Sequence, residues 1–289
     1  YPKDVDEFQT GSLYSEILLG MTGLVTKAGR SLTFLAADAQ GRPDAFLESC
    51  RAGDFEGVLL LAVTERGLHA AVRDTGTLAV LVDHWDPATG LDGIVDDSSA
   101  GARAAARYLL NLGHRAIGYI GWAHDEAKGP RRERAFRVEL KRQGLEIPEA
   151  WTWRGVTGPE SGYRGLLKLM QAPKRPSAVF CFNTLMVHGA YKAAGELDLS
   201  VPRDVSLLGY GNEDIRSVFK DTWDSKDYVG HGPPVTRFAF DQRELGRAAA
   251  RRLLWRIERP TAPARAVRLP VALVEGESCG TADRRGGER

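Results

Sequence analysis

The chain has 289 residues, of which 43% are hydrophobic and 27% charged, and this length and composition exclude a disordered chain and a disulfide-stapled mini-protein. The 39 basic and 38 acidic residues leave a formal net charge of +1, so no overall charge excess would attract nucleic acid, a membrane surface or an acidic substrate. Three widely separated cysteines without metal-ligand spacing indicate neither a disulfide framework nor a zinc site.

Short aliphatic runs alternate with longer amphipathic segments along the chain, a pattern typical of βαβ units around a parallel sheet. In chain order, the predicted strands are residues 31–37, 57–62, 78–83, 116–120, 178–182, 205–209, 236–240 and 267–274. The clearest predicted helices, with apolar residues every three or four positions, are 14–28, 100–112, 131–143, 184–194 and 242–257. Because the number of predicted strands exceeds that of one typical sheet, we expect an α/β protein with two domains.

Glycines follow several predicted helices at the position where a left-handed residue usually ends a helix. These glycines are Gly29, Gly113, Gly144 and Gly195. At the other end, Asp97 or Ser98 precedes the helix predicted from residue 100 and has a side chain suited to capping it. We interpret these residues as structural.

The sequence contains none of the motifs that mark the common enzyme sites. A G-x-S-x-G nucleophile elbow, a G-x-G-x-x-G dinucleotide loop and a phosphate-binding P-loop are all missing. The six histidines are dispersed, with no pair four residues apart, so no metal site is predicted. We therefore expect neither an enzyme nor a bound cofactor.

Polar or aromatic residues stand at the ends of four predicted strands, where an open parallel sheet presents its ligand crevice. They are Asp83, Trp122 with the nearby Asp125, Asn183, and Gly211 with Asn212. Taken singly, each is equally well interpreted as a turn residue or a helix cap. Their recurrence at four independent strand ends favours a binding crevice.

Arg132 opens a predicted helix in the segment GPRRERAF, and its planar group of five N–H donors suits hydroxyls or a carboxylate. The neighbouring arginines leave a second interpretation open, a solvated basic face. Aromatic side chains are further candidates because they stack on the apolar face of a sugar ring. These candidates are Tyr14, Trp122, Trp151, Trp153 and Trp223, although most tryptophans simply belong to a core.

Three stretches, residues 94–121, 131–148 and 178–215, contain motifs that together resemble the LacI/GalR family of bacterial transcription regulators. The segments LGHR-x-I in the first and VPxDVSLLGY in the third are the most specific of these motifs. FDQRELGRAAARRLL at 240–254 and RLPVALVEGES at 268–278 extend the resemblance over nearly the whole chain. The similarity is to the effector-binding core of that family.

This resemblance implies an α/β fold of two doubly wound parallel-sheet subdomains with three crossovers, the periplasmic-binding-protein-like type I fold. The implied N-terminal subdomain is 1–97 plus 238–262, and the implied C-terminal subdomain is 98–237 plus 263–282. The polar tail, residues 283–289, is expected to be disordered.

The resemblance also implies the partners of the chain. A small-molecule effector, a sugar or related polyol, would bind between the subdomains, and the core would form a homodimer that controls operator binding. Since no helix-turn-helix precedes Tyr14 in this sequence, operator DNA would be read only through an N-terminal domain that this chain lacks. No membrane partner is expected, and the absence of a long apolar run and of a signal peptide favours the cytoplasm.

Residue by residue, the resemblance assigns ligand contacts to both predicted subdomains. Arg132 matches the arginine that begins a helix in the family, and Asn183 keeps the family's amide after a strand. First-helix contacts fall at Leu13, Tyr14 and Ile17. We expect Asp83 and Tyr14 to meet this arginine and this amide around one hollow between the subdomains.

Two positions depart from the family's pattern. Thr184 stands where the family has an acid, and Gly211 followed by Asn212 stands where a carboxylate is expected. Because that carboxylate normally accepts hydrogen bonds from effector hydroxyls, its loss argues against the usual mode of sugar binding.

The segment 211–232 is longer than the family's usual connection, and long irregular insertions in compact domains are often functional. Our hypothesis is that it forms an ordered lid over the pocket. In that case Trp223, Tyr228 or His231 would contact the ligand.

Two other functions stay open on the sequence. An extracytoplasmic sugar-binding protein of an ABC transporter has the same fold, and the residues upstream of Tyr1 would distinguish it. A regulator whose pocket has decayed or now serves protein partners would account for Thr184 and Gly211, and a ligand screen would distinguish it.

Overall fold

The computed structural model describes residues 8–35, 43–123, 129–212 and 231–282, which fold as two compact units. Unit 1 takes the described residues up to Asp96 together with those from Asp241 to Pro270. Unit 2 takes those from Asp97 to Phe240 and those from Val271 onward. The chain therefore crosses between the units three times, as the predicted fold requires.

Unit 1 is built on a parallel sheet of four described strands in the order β1-β2-β3-β9. Its strands are β1 (Val58–Leu61), β2 (Ala79–Val82), β3 (Asp92–Asp96) and β9 (Ala266–Leu269). Its helices are α1 (Phe8–Lys27), α2 (Pro43–Ala52), α3 (Arg66–Asp74) and α8 (Gln242–Glu258), with a short 3-10 turn at Pro87–Thr89.

The core of unit 1 lies where α2 and α3 cover the sheet, and it includes Leu47, Leu60 and Val72. Helix α8 packs on β1, β2 and β3, and α1 packs on α8. Two glycines permit this helix pair to approach closely. A Cβ on Gly20 would lie 3.0 Å from the carbonyl carbon of Arg243, and a Cβ on Gly246 would lie 2.9 Å from that of Ile17.

Unit 2 is built on a sheet in the order β10-β8-β7-β6-β4-β5, parallel except for β10. Its strands are β4 (Ile117–Trp122), β5 (Thr152–Gly155), β6 (Ala178–Cys181), β7 (Ser206–Tyr210), β8 (Thr236–Ala239) and β10 (Ala272–Val274). Its helices are α4 (Ser98–Asn111), α5 (Gly129–Arg142), α6 (Pro159–Met170) and α7 (Thr184–Glu196), with a 3-10 turn at Glu149–Trp151.

Both faces of the unit 2 sheet are covered by helices, as in a doubly wound fold. Helices α6 and α7 enclose one core with Leu166, Val179 and Met186. Helices α4 and α5 enclose the other with Leu109, Phe136 and Phe180. Within the described ranges, no helix is both long and apolar enough to cross a membrane.

The predicted cap of α4 and three of the four predicted helix-ending glycines are confirmed, whereas the fourth glycine is not. The Asp97 side chain accepts a hydrogen bond of 2.9 Å from the Ala100 N–H and so caps α4. Left-handed glycines follow helices at Gly29, Gly113 and Gly144. The prediction for Gly195 is wrong, because α7 continues through it to Glu196 and its φ is not positive.

The strand predicted at 31–37 is wrong over its described part. Residues 31–35 form no strand, and Phe34 and Leu35 are 56% and 58% exposed. A strand is stabilised by its ladder partners, and β1 pairs only with β2 among the described residues. An aliphatic run without a neighbouring strand to pair with therefore stays irregular here.

The strand predicted at 267–274 is in fact two strands that belong to different sheets. Pro270 ends the first, since proline cannot donate to a ladder. Strand β9 pairs with β3 in unit 1, whereas β10 pairs with β8 in unit 2. The last crossover therefore follows Pro270, and the predicted boundary after residue 262 is corrected. The other crossovers fall at 96/97 and 240/241 instead of 97/98 and 237/238.

Candidate functional site

The candidate site lies at the carboxyl ends of the parallel strands of unit 2. Strands β4 and β6 are neighbours in this sheet, although β5 separates them in sequence and pairs on the other side of β4. Open α/β sheets bind ligands at such a switch in strand order. Trp122 ends β4, Phe182 follows β6, and their ring centroids lie 5.4 Å apart.

Arg132, near the start of α5, projects into this strand edge and is held there from several sides. It is 5% exposed. Its Cζ lies 3.6 Å from the ring centroid of Tyr210 and 4.3 Å from that of Phe182. Its Nη1 donates to the Phe182 carbonyl oxygen at 2.5 Å, and its Nη2 donates to Ser98 Oγ at 3.2 Å. These contacts fix the orientation of the guanidinium plane.

The interpretation of Arg132 as part of a solvated basic face is therefore wrong, although it does fit two of its neighbours. Arg131 and Arg134 are exposed. Arg137 instead donates to Glu133 at 2.7 Å and to the hydroxyl of Thr152, the first residue of β5, at 2.8 Å. Only Arg132 in this segment turns toward the strand ends.

The ring of Tyr210 can reach Arg132 because helix α4 has a glycine beside it. A Cβ on Gly101 would lie 2.7 Å from Tyr210 Cε2. Since Phe182 follows β6 and Tyr210 ends β7, two strand ends and the first turns of α4 and α5 contribute to the surroundings of one guanidinium.

Among the residues that the structure describes, two buried polar atoms of this region have no hydrogen-bond partner, Arg132 Nε and the Tyr119 hydroxyl. Burial raises the pKa of the Tyr119 phenol far above its ordinary value, and the nearby positive charge of Arg132 offsets this only in part. Tyr119 is therefore a neutral donor at physiological pH. An unpartnered buried donor is unusual in folded proteins and suggests a role beyond packing.

Asn183 precedes α7 and is its N-cap. Its Oδ1 accepts a hydrogen bond of 3.0 Å from the Met186 N–H. The side chain is 5% exposed, and its Nδ2 donates to no group in the described ranges. The cap interpretation and the ligand interpretation are thus compatible, because they use different atoms of one amide.

Two substitutions at Asn183 separate these uses. We expect Asn183→Asp to preserve the cap and to change the unfolding free energy little, whereas Asn183→Ala should cost about 1 kcal/mol. Urea denaturation of both variants checks this. If the aspartate variant loses as much stability as the alanine variant, the cap assignment is wrong.

Gly211 and Asn212 are held by the backbone of the neighbouring strand. Gly211 has a left-handed φ of 93° and donates its N–H to the Phe238 carbonyl oxygen at 2.8 Å. The Asn212 side chain donates through Nδ2 to the Phe240 carbonyl oxygen. Neither residue places a carboxylate at this edge.

Four other predicted site residues belong to unit 1. Leu13, Tyr14 and Ile17 lie in α1, and Ile17 is buried. Asp83 follows β2 with a left-handed φ of 62° and donates its N–H to the Ile94 carbonyl oxygen at 2.8 Å. That Tyr14 and Asp83 join Arg132 around one hollow stays a prediction.

Some predictions fall outside the described residues, namely Asp125, Trp223, Tyr228 and most of the hypothetical lid. His231 is described and exposed. Among the described residues, no group of three or more histidine, cysteine or acidic side chains is arranged to hold a metal ion.

The groups that surround Arg132 were not predicted from the sequence; they are Phe182, Tyr210 and, as a hydrogen-bond partner, Ser98. The signal was present for two of them. Phe182 and Tyr210 are aromatic residues at the ends of predicted strands, where a cation from the adjacent helix start could pack on their rings.

Comparison with known proteins gives one family match and many relatives. Residues 106–279 match the family described as periplasmic binding protein-like domain. The HTH-type transcriptional repressor PurR of Escherichia coli is 32% identical over 246 residues, which are 85% of this chain and 66% of that protein. This chain therefore spans slightly less than two thirds of the length of that curated relative.

Solved structures show the same fold. A putative transcriptional regulator LacI from Bacillus cereus subsp. cytotoxis superposes with a TM-score of 0.80 at 20% identity, covering 97% of this chain and 96% of that one. A LacI family transcriptional regulator from Enterococcus faecium with bound ribose has a TM-score of 0.73 at 23% identity, covering 95% and 96%.

Proposed function

Since the chain belongs to the family of periplasmic-binding-protein-like domains, as the effector-binding core found in LacI/GalR regulators, we propose that it binds a small-molecule effector that controls transcription. The relatives are transcriptional regulators, which fits a binding protein better than an enzyme or a transport protein.

One observation supports this proposal above the others, the geometry of Arg132. A buried guanidinium, held against two rings, lies at the switch in strand order of a doubly wound sheet, and its Nε has no hydrogen-bond partner within the described ranges. A donor so constrained loses little conformational entropy when it binds a polar ligand. The amide Nδ2 of Asn183 is a second donor at the same edge.

The effector class and the partners are part of the proposal. The ribose in one structural neighbour favours a sugar or a related polyol. We further propose a cytoplasmic homodimer whose operator contacts come from a DNA-reading segment outside this sequence, because the relatives include an HTH-type repressor longer than this chain.

Arg132→Met tests the proposed site. We expect the variant to lose about 100-fold in effector affinity, because hydrogen bonds to a charged group contribute about 1.5–3 kcal/mol each. The ligand-free protein should lose no more than about 1 kcal/mol of stability, since methionine fills similar apolar volume. Thermal-shift screening against sugars, nucleosides and sugar phosphates identifies the ligand, and calorimetry measures its affinity.

Arg131→Met is the matched control, because it removes the same charge from the adjacent, exposed position of the same helix. Its effector affinity should equal that of the unsubstituted protein. Equal affinity of all three proteins would place the site elsewhere.

A further inference from the structure

The end of helix α8 and the loop after it are rich in arginine. Residues 247–268 contain seven arginines and one acidic residue, Glu258. Four of these arginines lie within about 6 Å of the half-buried ring of Trp255, the range in which a cation is attracted to an aromatic face. Their Cζ atoms lie 4.1 Å (Arg252), 5.4 Å (Arg259), 5.7 Å (Arg265) and 5.8 Å (Arg256) from the ring centroid. We call Trp255 and these four arginines the Trp255 cluster.

The Trp255 cluster lies at the amino ends of the parallel strands β3 and β9. Arg265 immediately precedes β9, and its N–H donates to Asp92, the first residue of β3. Asp83, a predicted ligand residue, follows β2 at the carboxyl end of the same sheet. The cluster and this predicted ligand residue therefore lie at opposite ends of the sheet. A partner can occupy the cluster without covering Asp83.

The cluster carries more positive than negative charge among the described residues. Its two buried arginines share one carboxylate, that of Asp92, and Nε and Nη1 of Arg252 have no hydrogen-bond partner within the described ranges. Of the two exposed arginines, Arg259 pairs with Glu258 at 2.9 Å, whereas Arg265 makes no ion pair with a described residue. Four guanidinium groups thus contact two carboxylates.

The loop that carries the two exposed arginines is held in place from inside. Arg259 and Arg265 flank this loop, and the buried Arg256 donates to the carbonyl oxygens of Pro260 and Pro263 within it, both at 3.3 Å. The two prolines further restrict the backbone. A loop ordered in this way loses little conformational entropy when it binds a partner.

Resting on the proposed function, we propose that the Trp255 cluster contacts the phosphate backbone of double-stranded DNA. A guanidinium pairs with phosphate oxygens through two N–H donors, and duplex DNA presents a closely spaced row of negative charges to an array of arginines. Contacts of this kind position a protein on DNA without reading its sequence. In the proposed regulator, a DNA-reading segment would hold the duplex nearby, so even a weak contact would add to operator affinity.

Fluorescence anisotropy of the 289-residue chain with a labelled duplex of arbitrary sequence tests this contact. Two phosphate contacts predict that the affinity falls about tenfold when the salt concentration rises from about 50 to about 200 mM. The double variant Arg259→Gln, Arg265→Gln should bind about tenfold or more weakly at about 50 mM salt and should lose most of this salt dependence. Its unfolding midpoint should hardly change, because both side chains are exposed.

The control is the double variant Lys174→Gln, Arg175→Gln, which removes two positive charges from an exposed stretch of unit 2. Its affinity for the duplex should equal that of the unsubstituted chain. A loss as large as that of the Trp255 cluster variant would mean that net charge, and not this surface, attracts DNA, and would overturn the inference.

Three further results would overturn it. They are no binding of the duplex at about 50 mM salt, binding that is unchanged in the Trp255 cluster variant, and equally tight binding of poly-L-glutamate at equal charge, which would indicate an acidic protein partner instead. None of them affects the proposed effector site, because Arg132 belongs to unit 2 and is tested by the ligand screen with Arg132→Met. Conversely, failure of that screen with DNA binding intact would overturn the proposed effector site alone.

Discussion

Replacing Asp92 by alanine is expected to lower the unfolding free energy of unit 1 by about 3–5 kcal/mol. Asp92 is fully buried at the start of β3. Its Oδ1 accepts from Arg252 Nη2 at 2.7 Å, and its Oδ2 accepts from Arg256 Nη2 at 2.6 Å and Nε at 2.8 Å. The Arg265 N–H adds a fourth bond of 2.8 Å.

The size of this effect comes from the two arginines that the substitution leaves behind. Arg252 and Arg256 are themselves buried, with side chains 4% and 8% exposed. Without the carboxylate, two guanidinium groups of α8 would stay out of water with no counter-charge. In the paired cluster the carboxylate compensates the free-energy cost of burying the two guanidinium groups. Once the carboxylate is removed, that cost is no longer compensated.

The same cluster predicts a pH dependence. Burial by itself would raise the pKa of Asp92, but the hydrogen bonds from Arg252, Arg265 and Arg256 outweigh it and hold the pKa below its ordinary value. A lowered pKa contributes stability above the unfolded-state value of about 3.9, and this contribution is lost as the pH falls through the folded value. The difference in unfolding free energy between the unsubstituted protein and Asp92→Ala should therefore be constant near neutral pH and shrink below about pH 4.

Amide hydrogen exchange measures this effect locally. Exchange in β3 and α8 should accelerate in Asp92→Ala, while α6 and α7 of unit 2 keep their protection. Asp74→Ala is the control, because the ion pair of Asp74 with Arg73 is exposed and contributes little. Equal protection of β3 in all three proteins would contradict the proposed energetic role of Asp92.

The sequence correctly predicts six strands, β1, β2, β4, β6, β7 and β8, and most of them are largely apolar runs. β1, β2, β6 and β7 consist of such runs and are buried at their centres, so burial and propensity act in the same direction. The two strands that it misses, β3 with the sequence DGIVD and β5 with TWRG, contain charged residues. In β3 the charge is Asp92, whose arginine partners lie more than 150 residues away and leave no local signal.

The candidate site was predictable only in part, for a similar reason. Arg132 and Asn183 stand at a helix start and a strand end, and such positions can be recognised from local pattern. Whether Arg132 faces solvent or the strand ends depends on Phe182 and Tyr210, which are 50 and more residues away and reach it only through the order of the strands in the sheet. Periodicity carries no information about such contacts.

Gly189→Ala is expected to lower the unfolding free energy of unit 2 by about 3 kcal/mol. Gly189 lies in α7 where this helix crosses α6. A Cβ there would overlap the Pro159 carbonyl oxygen, lie 2.5 Å from its carbon and lie 2.8 Å from the Tyr163 nitrogen. All three are backbone atoms, so no side-chain rotation relieves the overlap and the helices must separate.

Separation of these helices would also reach the candidate site, because α7 begins at the residue after Asn183. A shift of α7 would move its N-cap and the amide Nδ2 away from the edge that presents Arg132. We therefore expect Gly189→Ala to weaken effector binding as well, although the substituted residue lies more than one helical turn from that edge.

Gly195→Ala in the same helix makes this prediction specific to the crossing. A Cβ at Gly195 would meet nothing within 4 Å, so only the helix propensity of alanine acts there. That variant should gain up to about 1 kcal/mol, the opposite sign from Gly189→Ala. Thermal and urea denaturation of the two variants measure the contrast. Two effects of the same sign and size would mean that backbone propensity, and not the close approach of α6 and α7, determines the stability of this helix pair.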